Sequence, residues 1–139
     1  MAAAKRSGVA ALAVRPGEKP WTEAELDKVR GELEAEIVEL RTNIDQAELE
    51  IAERLSDSVG GAGDDQADAG AKTFQREYDL SLTQNARDLL DLSRAALARI
   101  DDGSYGVCAS CGQPIGKARL KAFPRATLCV ACKQREERR

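Results

Sequence analysis

Residues 22–58 read TEAELDKVRGELEAEIVELRTNIDQAELEIAERLSDS, and the period of their apolar positions decides the fold. Leu26, Leu33, Leu40 and Ala47 recur every seven residues, and Arg30, Ile37, Ile44 and Ile51 form a second set four residues on. Taken as d and a positions, the two sets make a heptad seam about four repeats long, the pattern of a helix that pairs with another helix. Thr22 and Glu25 supply a capping box: the hydroxyl accepts from a first-turn amide while the carboxylate reaches back to the cap. Gly31 is the one glycine and no proline interrupts, so at ~1.5 Å per residue the helix would run roughly 55 Å.

A second helical pattern spans about Ala71 to Asp102. Tyr78, Leu82, Asn85, Leu89, Leu92, Ala96 and Ile100 follow a three–four spacing, Leu90 and Leu97 widen the stripe, and Asn85 reads as a polar register residue. Residues 58–70 (SVGGAGDDQADAG) are too glycine-rich and apolar-poor to hold a core, which predicts an acidic tip between the helices. Two long amphipathic helices with a short break fold back most simply as an antiparallel hairpin, the alternative being a parallel coiled coil between chains.

Composition agrees with an all-α chain. The 139 residues suffice for one domain or two small modules, and 42% hydrophobic with only 4% aromatic residues means alanine rather than large side chains fills much of the apolar share. Histidine is absent, which removes histidine-based triads and histidine-bearing zinc-hydrolase sites. An enzyme is the least expected class. No stretch reaches the roughly 18 apolar residues of a membrane helix. The opening MAAAKRSGVAALAVRP has an apolar run too short for a good secretion signal, with Arg15-Pro16 where a cleavage region would lie. Residues 1–20 therefore read as a disordered basic arm, and the protein as cytoplasmic.

Charge is uneven. Residues 21–58 hold four basic and twelve acidic side chains, whereas 103–139 hold eight basic and two acidic, so an acidic shaft joins a basic tail. Within that tail stand all four cysteines, Cys108-Ala-Ser-Cys111 and Cys129-Val-Ala-Cys132, seventeen residues apart. This spacing fits a four-thiolate zinc site, each pair placing two sulfurs on one side of a tight turn, with Gly112 easing the first. Disulfides would need an oxidising compartment, and a redox pair usually goes with a βαβ context; neither is indicated. Four thiolates leave no open coordination position, so the expectation is one structural Zn2+ that cannot activate water.

The order of long helix, acidic turn, long helix and four-cysteine finger resembles the DksA/TraR family of bacterial transcription factors. The matching stretches are Asp101-Asp-Gly-Ser-Tyr-Gly-Val-Cys108, Cys111-Gly-Gln-Pro-Ile-Gly116, Arg119-Leu-Lys-Ala-Phe-Pro124 and Thr127-Leu-Cys-Val-Ala-Cys-Lys133. The resemblance is dense over 100–136, architectural over 22–99 and absent over 1–20. It implies a regulator of transcription that binds RNA polymerase directly, without sequence-specific DNA contacts. The hairpin would insert into the secondary channel, and acidic tip residues would act near the catalytic magnesium and trigger loop. The family tip pattern Asp-x-x-Asp-x-Ala is met by Asp65 and Asp68, with Gly70 in place of the alanine, and forty residues separate Asp68 from Cys108. The resemblance also brings ppGpp, the alarmone of the stringent response, as a ligand. Lys133 matches one of its basic positions, but Phe123 stands where an arginine is expected and Leu92 where a helix lysine is, which counts against it.

Three modules are thus expected: a disordered arm over 1–20, a hairpin over 21–102 with its tip at 58–70, and a zinc finger with a basic C-terminal helix over 103–139. Lys117, Arg119, Lys121, Arg125 and Lys133 are candidate basic contacts for a partner. Interleaved with Phe123, they also suit a nucleic-acid module, although the acidic shaft would repel phosphates. An adapter whose helices pair with other helices is the third class. A monomer is the expected state.

Overall fold

The computed structural model describes residues 11–59 and 66–138, at 57–59 the backbone alone. Among the described residues there are four helices: α1 (Glu23–Val59), α2 (Gln66–Asp102), α3 (Lys117–Ala122) and α4 (Val130–Glu137). Among the described residues there is no strand, only an isolated antiparallel bridge between Val107 and Pro114, and no helix long and apolar enough to cross a membrane. The fold is all-α, a long helical hairpin followed by a small cysteine module. Of the expected tip at 58–70, residues 58–59 close α1 and 66–70 open α2; residues 60–65 lie outside the described residues. Gly70 sits inside α2 with open space where a side chain would go.

The chain divides into two compact units, and the division falls within the helices rather than at 102/103. Among the described residues, one unit comprises 11–35 and 92–138; the other comprises 36–59 and 66–91.

The first unit is built around one apolar cluster: Leu12, Trp21, Leu26, Val29 and Leu33 on the N-terminal side, with Ala96, Ile100, Tyr105, Cys108, Ile115, Leu120 and Cys132. Burying each of the large members stabilises by about 1.5–3 kcal/mol, and this offsets the cost of ordering a loop-rich module. The predicted capping box forms: Glu25 N donates to Thr22 Oγ1 at 3.1 Å and Thr22 N to Glu25 Oε1 at 3.2 Å. Trp21 and Leu26, immediately before the cap and four residues into the helix, are both buried, as in a hydrophobic staple. At the other helix end Gly103 takes φ +85°, and Ser104 N and Tyr105 N donate to Arg99 O at 3.0 and 3.1 Å. The left-handed glycine turns the chain back so that Tyr105 reaches the core.

The expectation of a disordered arm fails for residues 11–20. Leu12 is 3% exposed within the cluster, Glu18 N donates to Arg15 O at 3.0 Å, and Arg15 N donates to Glu18 Oε1 at 2.7 Å. Leu12 and Val14, read from sequence only as part of a run too short for a secretion signal, are ordered by completing a core supplied by the rest of the unit.

In the second unit α1 contributes the predicted seam, with Ile44 buried and Ile37, Leu40, Ala47 and Ile51 half-buried. The α2 seam keeps the expected Leu90 but otherwise differs, with Asn85 exposed rather than in register at the seam. Thr83 and Leu90 are buried and Asp79 and Ala86 half-buried, whereas Tyr78, Leu82 and Leu89 are exposed. The stripe that packs lies about 100° around the helix from the larger apolar stripe. Thr83 satisfies its hydroxyl by donating to Asp79 O at 2.9 Å. Ion pairs Arg54–Asp79 and Arg87–Glu48 link the two helices.

Candidate metal centre

The finger begins where Val107 bridges Pro114 and Ile115 N donates to Gly106 O at 2.8 Å. Between these, Cys108 N donates to Gln113 O at 2.8 Å and Gly112 N to Cys108 O at 3.0 Å, closing the first knuckle. Gly112 has φ +74°, the left-handed conformation that such a tight turn requires. The second knuckle is tied to the first by Ala109 N donating to Thr127 O at 2.8 Å. Its second half is the opening of α4, with Cys129 as the residue before the helix and Lys133 N donating to Cys129 O at 2.9 Å.

This framework brings the sulfurs of Cys108, Cys111, Cys129 and Cys132 within 4.8 Å of one another, with Cys111 Sγ and Cys129 Sγ 3.8 Å apart. Four sulfurs about 2.3 Å from one ion in a tetrahedron stand about 3.8 Å apart, so the set could close on a zinc-sized cation. Cys129 N points at Cys108 Sγ from 3.4 Å, and Arg135 lies 3.6 Å from Cys132 Sγ. Burial pushes the Cys108 thiol up, but backbone N–H groups of Cys111, Cys129 and Ser110 outweigh it and bring it down to about 6. The Cys132 N–H lowers Cys129, while Cys129 beside it pushes Cys132 up to about 11. Four soft donors this close cannot all ionise unaided, and a cation between them removes the conflict. No histidine or carboxylate joins the set, and a closed thiolate site is structural chemistry, not hydrolysis.

The candidate basic contacts divide into two groups. Lys117 is turned inward: Nζ donates to Glu25 Oε1 at 2.8 Å and Lys19 O at 3.2 Å, and lies 5.5 Å from the Trp21 ring centre. Its own amide donates to Glu18 Oε2 at 3.0 Å. Arg119 Nε donates to Leu128 O at 3.0 Å, its guanidinium standing 5.7 Å from the Phe123 ring centre. Arg119 thus ties the finger internally, and Lys117 ties it to the start of α1 and to the segment before it. Lys121, half exposed, pairs with Glu25 at 2.5 Å, Arg125 is half-buried, and Lys133, also half exposed, faces Glu136 at 3.9 Å. Glu25, between two lysines, is held down to about 2. Asp68 stands exposed in the first turn of α2; Asp65 lies outside the described residues.

Sequence reasoning missed Glu18 and Leu12, and saw Trp21 only as composition. The staple position of Trp21 before the capping box was a usable signal; a pairing ninety-odd residues away, such as Glu18 with Lys117, has none.

Comparison with known proteins matches this architecture. Residues 103–138 match the prokaryotic dksA/traR C4-type zinc finger. The RNA polymerase-binding transcription factor DksA of Escherichia coli K12 is 31% identical over 127 residues, 91% of this chain and 81% of that protein. Its namesake from Caulobacter vibrioides is 43% identical over 75 residues, and there the match spans 54% of this chain and 53%, about half, of the relative. The structure of transcription factor DksA2 from Pseudomonas aeruginosa superposes with a TM-score of 0.68 at 34% identity, covering 84% of this chain and 85% of that one. With hairpin and finger both inside the matched span, the chain belongs to the DksA/TraR family.

Proposed function

We propose that this protein is a cytoplasmic, monomeric transcription regulator that binds bacterial RNA polymerase directly, its hairpin inserting into the secondary channel and Asp65 and Asp68 modulating initiation from the tip. The observation that carries the reading is the span of the likeness to proteins named as polymerase-binding: 91% of the chain for the Escherichia coli factor, hairpin included. A match confined to the finger would support only a shared metal fold. One structural zinc, held by Cys108, Cys111, Cys129 and Cys132, keeps the finger folded. Nucleic-acid binding is disfavoured, since Lys117 and Arg119 are spent on internal bonds. Leu92 and Phe123, standing where the family pattern has basic residues, argue against a ppGpp site on this chain alone.

The test is retention of the purified protein on core RNA polymerase without DNA, repeated with a competitor for the secondary channel. Retention abolished by the competitor is expected. No retention at moderate salt, or retention indifferent to the competitor, rejects the reading.

A further inference from the structure

Residues 36–91 carry fourteen acidic side chains and five basic ones, and three of the five meet at one place. Arg54 of α1 and Lys72 and Arg76 of α2 line a cavity of about 210 Å³ between the two helices, with Ile51 and Leu55 as its apolar wall. Lys72 and Arg76 are both exposed and stand four residues apart, so two like charges share one face of α2, an arrangement that disfavours a helix by itself. Asp79, the acid among the lining residues, is already engaged: Arg54 pairs with it and Gln75 Nε2 donates to its Oδ1 at 3.0 Å. The lining therefore keeps a net positive charge inside a strongly negative unit.

Each feature narrows the ligand. A polyanion such as nucleic acid or an anionic vesicle meets the negative field of the whole unit and is repelled. A small anion inside the cavity senses chiefly the cations that line it, charges beyond a Debye length of ~8 Å being screened. Ile51, Leu55 and the stems of the basic residues offer a surface for hydrocarbon, and none of the lining residues is aromatic, so a nucleobase has no ring to stack on. A cavity of about 150 Å³ takes one benzene ring, so this one fits a chain of roughly six to eight carbons. A guanidinium and an ammonium side by side suit a carboxylate head.

We propose that this cavity is a binding site for a small aliphatic carboxylate, its head on Lys72 and Arg76 and its chain against Ile51 and Leu55. Lys72 lies one turn beyond Asp68, so a ligand that joins α1 to α2 here firms the turn of α2 that carries Asp68. The binding belongs to the chain alone; only its consequence for initiation rests on the polymerase reading.

The experiment titrates the full, zinc-loaded chain with sodium octanoate and follows its backbone amide resonances, with 1-octanol and sodium acetate supplying the tail and the charge separately. Octanoate is expected to saturate with a dissociation constant of ~1 mM or tighter, moving amides at 51–55 and 72–79 and slowing hydrogen exchange at 66–71. Octanol and acetate at equal concentration are expected to leave those amides in place. Lys72→Gln/Arg76→Gln is expected to weaken binding on the order of tenfold, and Leu55→Asn several-fold; all three positions are exposed, and circular dichroism checks that the helices persist. Shifts that do not saturate or that centre elsewhere, equal binding of acetate or octanol, or wild-type-like binding by the double variant overturns the site. Saturable binding without slower exchange at 66–71 overturns the link to the tip. A chain that binds octanoate but not core polymerase supports the site and rejects the polymerase reading.

Discussion

Lys117 Nζ lies 2.8 Å from Glu25 Oε1, so the first residue of the finger's short helix is bonded to the capping carboxylate of α1, ninety-two residues earlier in the chain. Lys121 takes the other oxygen. One carboxylate therefore serves as helix cap and as the anchor of two lysines. Lys117 is only 12% exposed and Glu25 23%, so water screens their pair less than it does an exposed one.

The pH dependence follows with a definite sign. Glu25 is lowered from 4.5 to about 2, chiefly by Lys117 and then Lys121. A carboxyl lowered by folding stabilises fully above its unfolded value, and that contribution is lost as pH falls from about 4.5 toward about 2. Glu25→Gln is expected to cost about 1–2 kcal/mol near neutral pH, after discounting for solvent screening. The gap between wild type and variant in chemical denaturation narrows below pH 4.5 and closes near pH 2. A gap constant across that range would show that Glu25 acts only as a cap.

Two glycines make opposite predictions. Gly116 has φ +107°, and a Cβ there would meet Arg15 Cδ at 2.8 Å. Gly116→Ala is expected to destabilise by on the order of 1–3 kcal/mol, because backbone strain and contact with the N-terminal segment act together. Gly70 lies inside α2 with nothing within 4 Å of a Cβ, so Gly70→Ala is expected to stabilise by about 1 kcal/mol through helix propensity alone. Urea unfolding followed by circular dichroism measures both. Equal effects of the same sign would contradict the assigned backbone conformations.

The metal site was legible because thiolate spacing is a covalent-scale constraint: two short knuckles either side of seventeen residues leave few other structures. The α1 seam was legible for a similar reason, as Leu26, Leu33 and Ile44 carry both size and period. The α2 seam was read correctly at Leu90, Ala96 and Ile100 and misread at Tyr78, Leu82, Leu89 and Leu92, where size pointed to a buried stripe; the helix instead buries small residues such as Thr83 and Ser93, the latter 0% exposed. Size in sequence cannot tell a stripe that packs internally from one left exposed. Residues 11–20 were misread because their order comes from partners far away in sequence, Lys117 above all.

Metal removal is expected to reach beyond the cysteines. Cys108 and Cys132 share one cluster with Leu26, Val29, Leu33, Ala96 and Ile100, so the ion's folding energy is distributed to both helix ends. Chelation, or Cys129→Ser, is expected to abolish binding of one zinc per chain and to raise hydrogen exchange at 23–33 and 96–102 as well as at 103–138. The hairpin at 36–59 and 66–91 keeps its protection, its seam being separate from that cluster. Exchange rising at 103–138 alone would show that the helix ends do not depend on the finger.

The acidic tip separates docking from action. Asp68 opens α2 with its carboxylate in the first turn, where the helix's positive end favours it and where a cation or basic loop can also be met. Exposed carboxylates make pairs worth less than about 1 kcal/mol, so little of the docking energy comes from them. Asp65→Asn/Asp68→Asn is therefore expected to bind core polymerase within a few-fold of wild type while losing its effect on initiation in a purified transcription assay. Gly70→Ala, which restores the family's alanine and firms the first turns of α2, is expected to strengthen that effect. Full activity in the double Asn variant would mean that the acids are solvated tip residues, and that the protein regulates by occupying the channel.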